Sequence, residues 1–199
     1  MTLEAEGFLV RRHGVGTFVR ERLVLRNNLT LICGTTDMIR SMGMEPGIAE
    51  IELVEEDASR EVALRLGLKE GEKVIRVDRV QTADEERVVV STEYLATLLL
   101  ARYPDGPFKI TDLRQYILDN LSLYHFIQHG LKQKIHHSVV ELRPINAPED
   151  IAQALGVEVG DALMYIEEVD YDIEEHPLLY SIEYHAGEAS VFTVNRQLS

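Results

Sequence analysis

The chain predicts an α+β fold, an antiparallel sheet with peripheral helices on one side, and three observations lead there. First, the chain repeats itself: Ala63, Leu66, Gly67, Gly71, Val80, Ser91, Glu93 and Tyr94 match Ala152, Leu155, Gly156, Gly160, Val169, Ser181, Glu183 and Tyr184, at an offset of 89 that becomes 90 after one inserted residue. Second, each copy reads as a short amphipathic helix stopped by its first glycine, a turn around the second glycine, and a two-stranded hairpin with a polar loop. Third, two copies are too few for a solenoid, so their four strands belong in one compact sheet with a cleft between the halves.

Taken in order, GFLVRRHGVGTFV (7–19) reads as two short strands around a glycine-bearing basic turn. RERLVLRNNL reads as a polar connection, and LTLICG ends at Gly34. TTDMIRSMG has the form of a short helix, capped by Thr35 or Thr36 and stopped by Gly43. The two repeat copies start at Arg60 and Glu149. Between them DGP is a loop signal, DLRQYILDNL and SLYHFIQHG have helical spacing, and KIHHSVVELRPI is strand-like. After the second copy, the alternation of ASVFTVNRQ predicts one more strand.

At 199 residues and 45% hydrophobic, the chain can bury the core of one domain plus an appendage. No uncharged apolar run approaches the roughly 20 residues needed to span a bilayer. The N-terminus lacks a signal-peptide pattern, so the cytoplasm is the expected location and no membrane partner is expected. Cys33 is the only cysteine, which rules out an intrachain disulfide and leaves little scope for a cysteine-based zinc site; it reads as a small buried hydrophobe. Charge is divided unevenly. Residues 11–26 carry a net charge of +4 in a chain of net charge −14, so nucleic-acid contact belongs to the first 26 residues and not to the acidic body.

Strand parity selects candidate site residues, since residues two apart share a face. Arg79 and Gln81 share one, Ser91 and Glu93 another, and Ser181, Glu183 and His185 a third. The recurring Ser-x-Glu lines face either a common cleft or solvent. Three features suit an anionic small molecule: backbone N–H groups near Thr35 and Thr36, the guanidinium of Arg79, and Ser122 with Tyr124 at the start of a helix. His125 and His129 have the spacing of two zinc ligands but no adjacent glutamate, and no metal or other cofactor is expected. Hydrolase and nucleotide-binding loop motifs are absent.

In this order the pieces resemble a bacterial GntR-type transcriptional regulator of the HutC subfamily, whose effector domain is called UTRA. GFLVRRHGVGTFV resembles the wing that closes the family's winged helix-turn-helix, and TTDMIRSMG resembles the first short effector-domain helix. RVQTADEERVVVSTEYL is similar to the central hairpin; SLYHFIQHG and HPLLYSIEYHAGEASVFTVNR match later landmarks. The resemblance implies residues 1–26 as a remnant wing and linker, with Arg11, Arg12, His13, Gly14 and Gly16 at the DNA, and residues 27–199 as a chorismate-lyase-like effector-binding and dimerisation domain. The family's recognition helix would precede the wing, so the chain is expected to be truncated, misassigned or lacking its reader, and to bind DNA only in a longer form.

The resemblance further implies a homodimer, a regulator and not an enzyme, and a small effector whose site includes Thr35, Thr36, Arg79, Gln81, Ser91, Glu93, Ser122, Tyr124, Ser181, Glu183 and His185. Gln81 stands in place of a second arginine, Ser91 and Leu179 where acids occur, and His185 where an aromatic hydroxyl occurs. Those departures argue against an amino-sugar phosphate and for a carboxylate or a single phosphate. A ligand-free dimerisation scaffold and a chorismate-lyase-like enzyme are the alternatives.

Overall fold

The computed structural model describes residues 9–12, 16–19, 24–100, 109–187 and 190–196, with side chains from residue 24 onward. The basic segment forms an antiparallel hairpin, β1 (Leu9–Arg12) and β2 (Gly16–Val19), with Arg12 opposite Gly16. Arg11 and Arg12 lie on β1 and Gly16 on β2; His13 and Gly14 lie outside the described residues. The segment read as a polar connection is in part a strand, β3 (Leu25–Asn28), because a distant partner takes up its backbone groups.

Helix α1 (Thr35–Ser41) ends before Gly43, whose φ of 77° suits a residue without Cβ. Its N-cap is Gly34, which gives no side-chain cap, so neither Thr35 nor Thr36 caps the helix as expected. Both hydroxyls instead reach across to other elements. The following strand, β4 (Pro46–Asp57), was not anticipated from the sequence. It is an edge strand, and Glu50, Glu52, Glu55 and Glu56 obscure its alternation.

The first repeat copy supplies α2 (Arg60–Arg65), β5 (Lys73–Ala83) and β6 (Glu86–Ala96). Ser59 caps α2 by accepting from the Val62 N–H at 3.2 Å. Next come α3 (Thr97–Leu100), α4 (Ile110–Asn120) and α5 (Leu123–His125), the last running into a π turn at Phe126–Gly130. Strand β7 (His137–Asn146) precedes the second copy, α6 (Glu149–Leu155), β8 (Ala162–Tyr171) and β9 (Pro177–Ala186). The last strand is β10 (Ser190–Thr193). It is the extra strand expected after the second copy, but it joins β3 in a separate parallel pair.

The main sheet is antiparallel throughout, in the order β4-β5-β6-β9-β8-β7. The four repeat strands are central, with β4 and β7 on the edges. In the middle pair Thr92 lies opposite Ile182. The repeat offset of 90 carries Thr92 onto Ile182 itself, so a local twofold axis passes through that pair. Helices cover both faces, not one. The helix at the head of each copy packs on one side, α2 over Val74, Val169 and Tyr180, and α6 over Leu163 and Ala186. On the other side α3, α4 and α5 bury Ile75, Val77, Leu95 and Leu179, while α1 sets Met38 and Ile39 against Ala83 and Val89.

Candidate functional site

On the second face β5 changes character along its length. Ile75 and Val77 belong to the apolar core, and two more steps of the same parity bring Arg79 and Gln81 into a cavity of about 300 Å³. The cavity floor runs across β5, β6, β9, β8 and β7. Residues 29–36 and the start of α5 form its walls. Thr35, Thr36, Arg79, Gln81, Glu93, Ser122, Tyr124, Ser181 and Glu183 all line it. Ser91 and His185 are buried beside the lining and do not line it themselves: Ser91 accepts from Gln81 Nε2 at 3.2 Å, and His185 Nε2 lies 2.7 Å from Glu183 Oε2. Cys33, expected to be buried, is exposed and sits on the wall segment.

Arg79 is not free to clamp a ligand with both arms. It is 5% exposed, its Nε donates to Glu93 Oε2 at 3.0 Å and its Nη2 donates to Glu93 Oε1, while Nη1 donates to the Leu121 carbonyl at 3.2 Å. Burial pushes the Glu93 carboxyl up, and the Arg79 guanidinium opposes that rise. The Thr36 hydroxyl donates to the same Leu121 carbonyl. Leu121 ends α4 in the left-handed region at φ 61°, so one oxygen joins α4, α1 and β5.

A second unit lies across the local axis. Burial acts to raise the Glu183 carboxyl, but His185, Arg79 and the Thr35 hydroxyl outweigh it and hold it below its ordinary value. The Thr35 hydroxyl donates to Glu183 Oε1 at 3.3 Å. Ser122 accepts from the His125 N–H at 3.1 Å, capping α5, and this turns the Tyr124 side chain toward β8. Among the described residues the Ser181 hydroxyl makes no hydrogen bond, although it lines the cavity.

Sequence reasoning missed Glu168 and Asp170 on β8. The repeat would have found them, because its 89-residue offset carries Arg79 onto Glu168 and Gln81 onto Asp170. Glu168 lines the cavity and Asp170 is wholly buried behind it. Tyr124 Oη donates to Asp170 Oδ1 at 2.9 Å and lies 3.4 Å from Glu168 Oε1; the Ser138 hydroxyl donates to Asp170. Asp170 Oδ2 has no hydrogen-bond partner. Burial, then the proximity of Asp170 and Glu183, push Glu168 up to about 8. Burial likewise pushes Asp170 up to about 6 against the hydroxyls that favour its charged form.

The His125 and His129 rings lie with centroids 4.3 Å apart, tilted by 36°, and His125 Nδ1 lies 2.9 Å from the Tyr116 hydroxyl. Among the described residues no group of three or more metal-ligating side chains converges. No described helix is long and apolar enough to cross a membrane.

A family model described as "UTRA domain" matches residues 41–190. The HTH-type transcriptional regulator Rv0792c of Mycobacterium tuberculosis is 28% identical over 195 residues, covering 96% of this chain and 67% of that protein. The crystal structure of PhnF from Mycobacterium smegmatis superposes with a TM-score of 0.74 at 23% identity, over 99% of this chain and 81% of that one. The structure of the PhnF effector domain gives a TM-score of 0.72 at 22% identity, over 87% of this chain and 99% of the domain.

Proposed function

The chain belongs to the UTRA-domain family, and from that premise we propose that it is the effector-sensing part of a GntR-type transcriptional regulator, binding a small metabolite in the cavity on the sheet. The observation that carries this reading is the cavity itself, a space of about 300 Å³ lined by polar side chains from both repeat copies. A sheet face with no ligand to hold would fill that space with apolar side chains, as the same face does at Ile75, Val77, Leu95 and Leu179.

In this reading the backbone N–H of Thr35, the hydroxyls of Ser122 and Ser181, the Gln81 amide and the remaining N–H groups of Arg79 supply donors to a carboxylate or a single phosphate on the effector. Arg79 is already matched by Glu93, which favours a singly charged group. Ser91 and His185 act from behind by fixing Gln81 and Glu183. Arg11, Arg12, His13, Gly14 and Gly16 would serve the DNA as phosphate or minor-groove contacts. A homodimer through the effector domains completes the proposal. The effector acts only if it binds one arrangement of that dimer better than the other, because equal affinity shifts nothing.

A thermal-shift screen of the purified chain against organic acids, amino-acid catabolites and sugar phosphates tests the reading. An effector present at 100 times its Kd adds roughly 2.7 kcal/mol of stability. Ser181→Ala, which breaks no internal hydrogen bond, leaves the unliganded Tm in place and weakens the hit. Absence of stabilisation by any compound class rejects the effector reading in favour of a ligand-free scaffold.

A further inference from the structure

The charges around the cavity do not balance, and the imbalance has a location. Arg79 is paired with Glu93, and Glu183 lies 2.7 Å from the His185 ring. His137, which lines the cavity from β7, lies 3.5 Å from Glu175. Glu168 and Asp170 remain. Among the described residues neither forms an ion pair, and two hydroxyls, each with a single proton, must serve the four oxygens of the two carboxylates. Asp170 Oδ2 is buried with no partner at all. Burial raises both carboxyls, and Glu183, Tyr124 and Ser138 face them from β9, α5 and β7 without supplying a cation; His136, which also lines the cavity, forms no ion pair with either among the described residues.

The local twofold sharpens this point. Positions related by the axis hold Arg79 and Gln81 at one end of the cavity but Glu168 and Asp170 at the other. The two ends are three strand spacings apart, about 14 Å between backbones, with long side chains reaching inward. Buried carboxylates without a countercharge are costly to keep unless something else brings the charge.

We propose that the cavity takes a ligand bearing a protonated nitrogen, an ammonium or guanidinium group seated against Glu168 and backed by Asp170, with its carboxylate directed toward Arg79. The inference rests on the effector reading above and names the class of molecule within it: a zwitterion with its charges at opposite ends. The cation takes up the free acceptor capacity of Glu168, and displaces the proton that its raised carboxyl holds at neutral pH when the cavity is empty.

The test uses matched probes: 4-aminobutyrate, 5-aminopentanoate, 6-aminohexanoate, lysine and arginine beside butyrate, pentanoate and hexanoate, titrated calorimetrically into the full chain. Two buffers of different ionisation enthalpy count the protons released. At least one amine-bearing probe should bind, its counterpart without the amine should bind more weakly, and protons should be released. Glu168→Gln should weaken the amine-bearing probe about 10- to 100-fold and abolish proton release, because it removes a charge-assisted hydrogen bond. The simple acids, which have no nitrogen to seat there, should not be weakened by it. Equal binding of the two series, or an indifferent Glu168→Gln, overturns the cation proposal while leaving an effector site in place. A panel in which nothing binds overturns it too, and the broader metabolite screen then judges the effector reading separately.

Discussion

Replacing Arg79 by alanine should unfold the protein more readily before it reveals anything about ligands. Arg79 and Glu93 are 5% and 3% exposed, joined by two hydrogen bonds, and the same guanidinium holds the Leu121 carbonyl. Removing the arginine leaves a buried carboxylate without its countercharge and a carbonyl with one donor fewer. Breaking a buried pair in this way costs about 3 to 5 kcal/mol, against a total of roughly 5 to 15 kcal/mol for a typical domain. At about 2 to 4 °C per kcal/mol for a chain of this size, Tm should fall by roughly 6 to 20 °C. Urea titration of Arg79→Ala, Glu93→Leu, Arg79→Met and the Arg79→Met/Glu93→Leu double variant separates the contributions. The double variant should recover most of the loss, because a well-packed apolar pair needs no countercharge. A cost below about 1 kcal/mol for Arg79→Ala, the size expected of an exposed pair, would refute the reasoning.

Three other outcomes follow from the same geometry. Glu168 is raised in the folded state, so folding takes up protons and the pair's contribution to stability falls as pH rises from its unfolded value through about 8. Glu168→Gln should therefore stabilise the unliganded protein by up to about 5 kcal/mol above pH 8, with the gain vanishing below about pH 4, measured as the difference between the two pH–stability curves. Gly130→Ala should destabilise by about 1 to 3 kcal/mol in urea titration, since a Cβ there would lie 2.7 Å from the fully buried Phe126 ring. Ser59→Ala should cost about 1 kcal/mol by removing the cap of α2, and a thermal melt showing no change would exclude the cap.

The repeat made most of the sheet legible. Glycines at Gly67, Gly71, Gly156 and Gly160 all take the left-handed conformations that the matched turns required, and the hairpins between them became the four central strands. What escaped depended on contacts between distant segments. Strand β3 exists because β10 lies beside it, and four residues reading Leu-Arg-Asn-Asn, three of them polar or basic, carry no local sign of that partner. Strand β4 is an edge, where charge on the solvent side dilutes the alternation. Nine of the eleven residues chosen from the sequence line the cavity; for the five of them on strands, parity fixes a face before any tertiary contact is known. Parity could not show that Glu93 would take up the charge of Arg79. Nor did attention to Ser-x-Glu lead to Glu168 and Asp170, although projecting Arg79 and Gln81 through the repeat points directly at them.

The carbonyl of Leu121 has a mechanical consequence. Its oxygen has two lone pairs and receives two donors, one from α1 and one from β5, at the end of α4. It therefore behaves as a rivet through three elements: sliding any one of them relative to the others shears at least one of these bonds. The left-handed backbone that aims the oxygen holds about 1 to 2 kcal/mol of strain in a residue with a side chain. That strain persists only while both donors remain fastened, so the cavity wall formed by α1 and the floor formed by β5 keep a fixed separation until the joint opens as a whole.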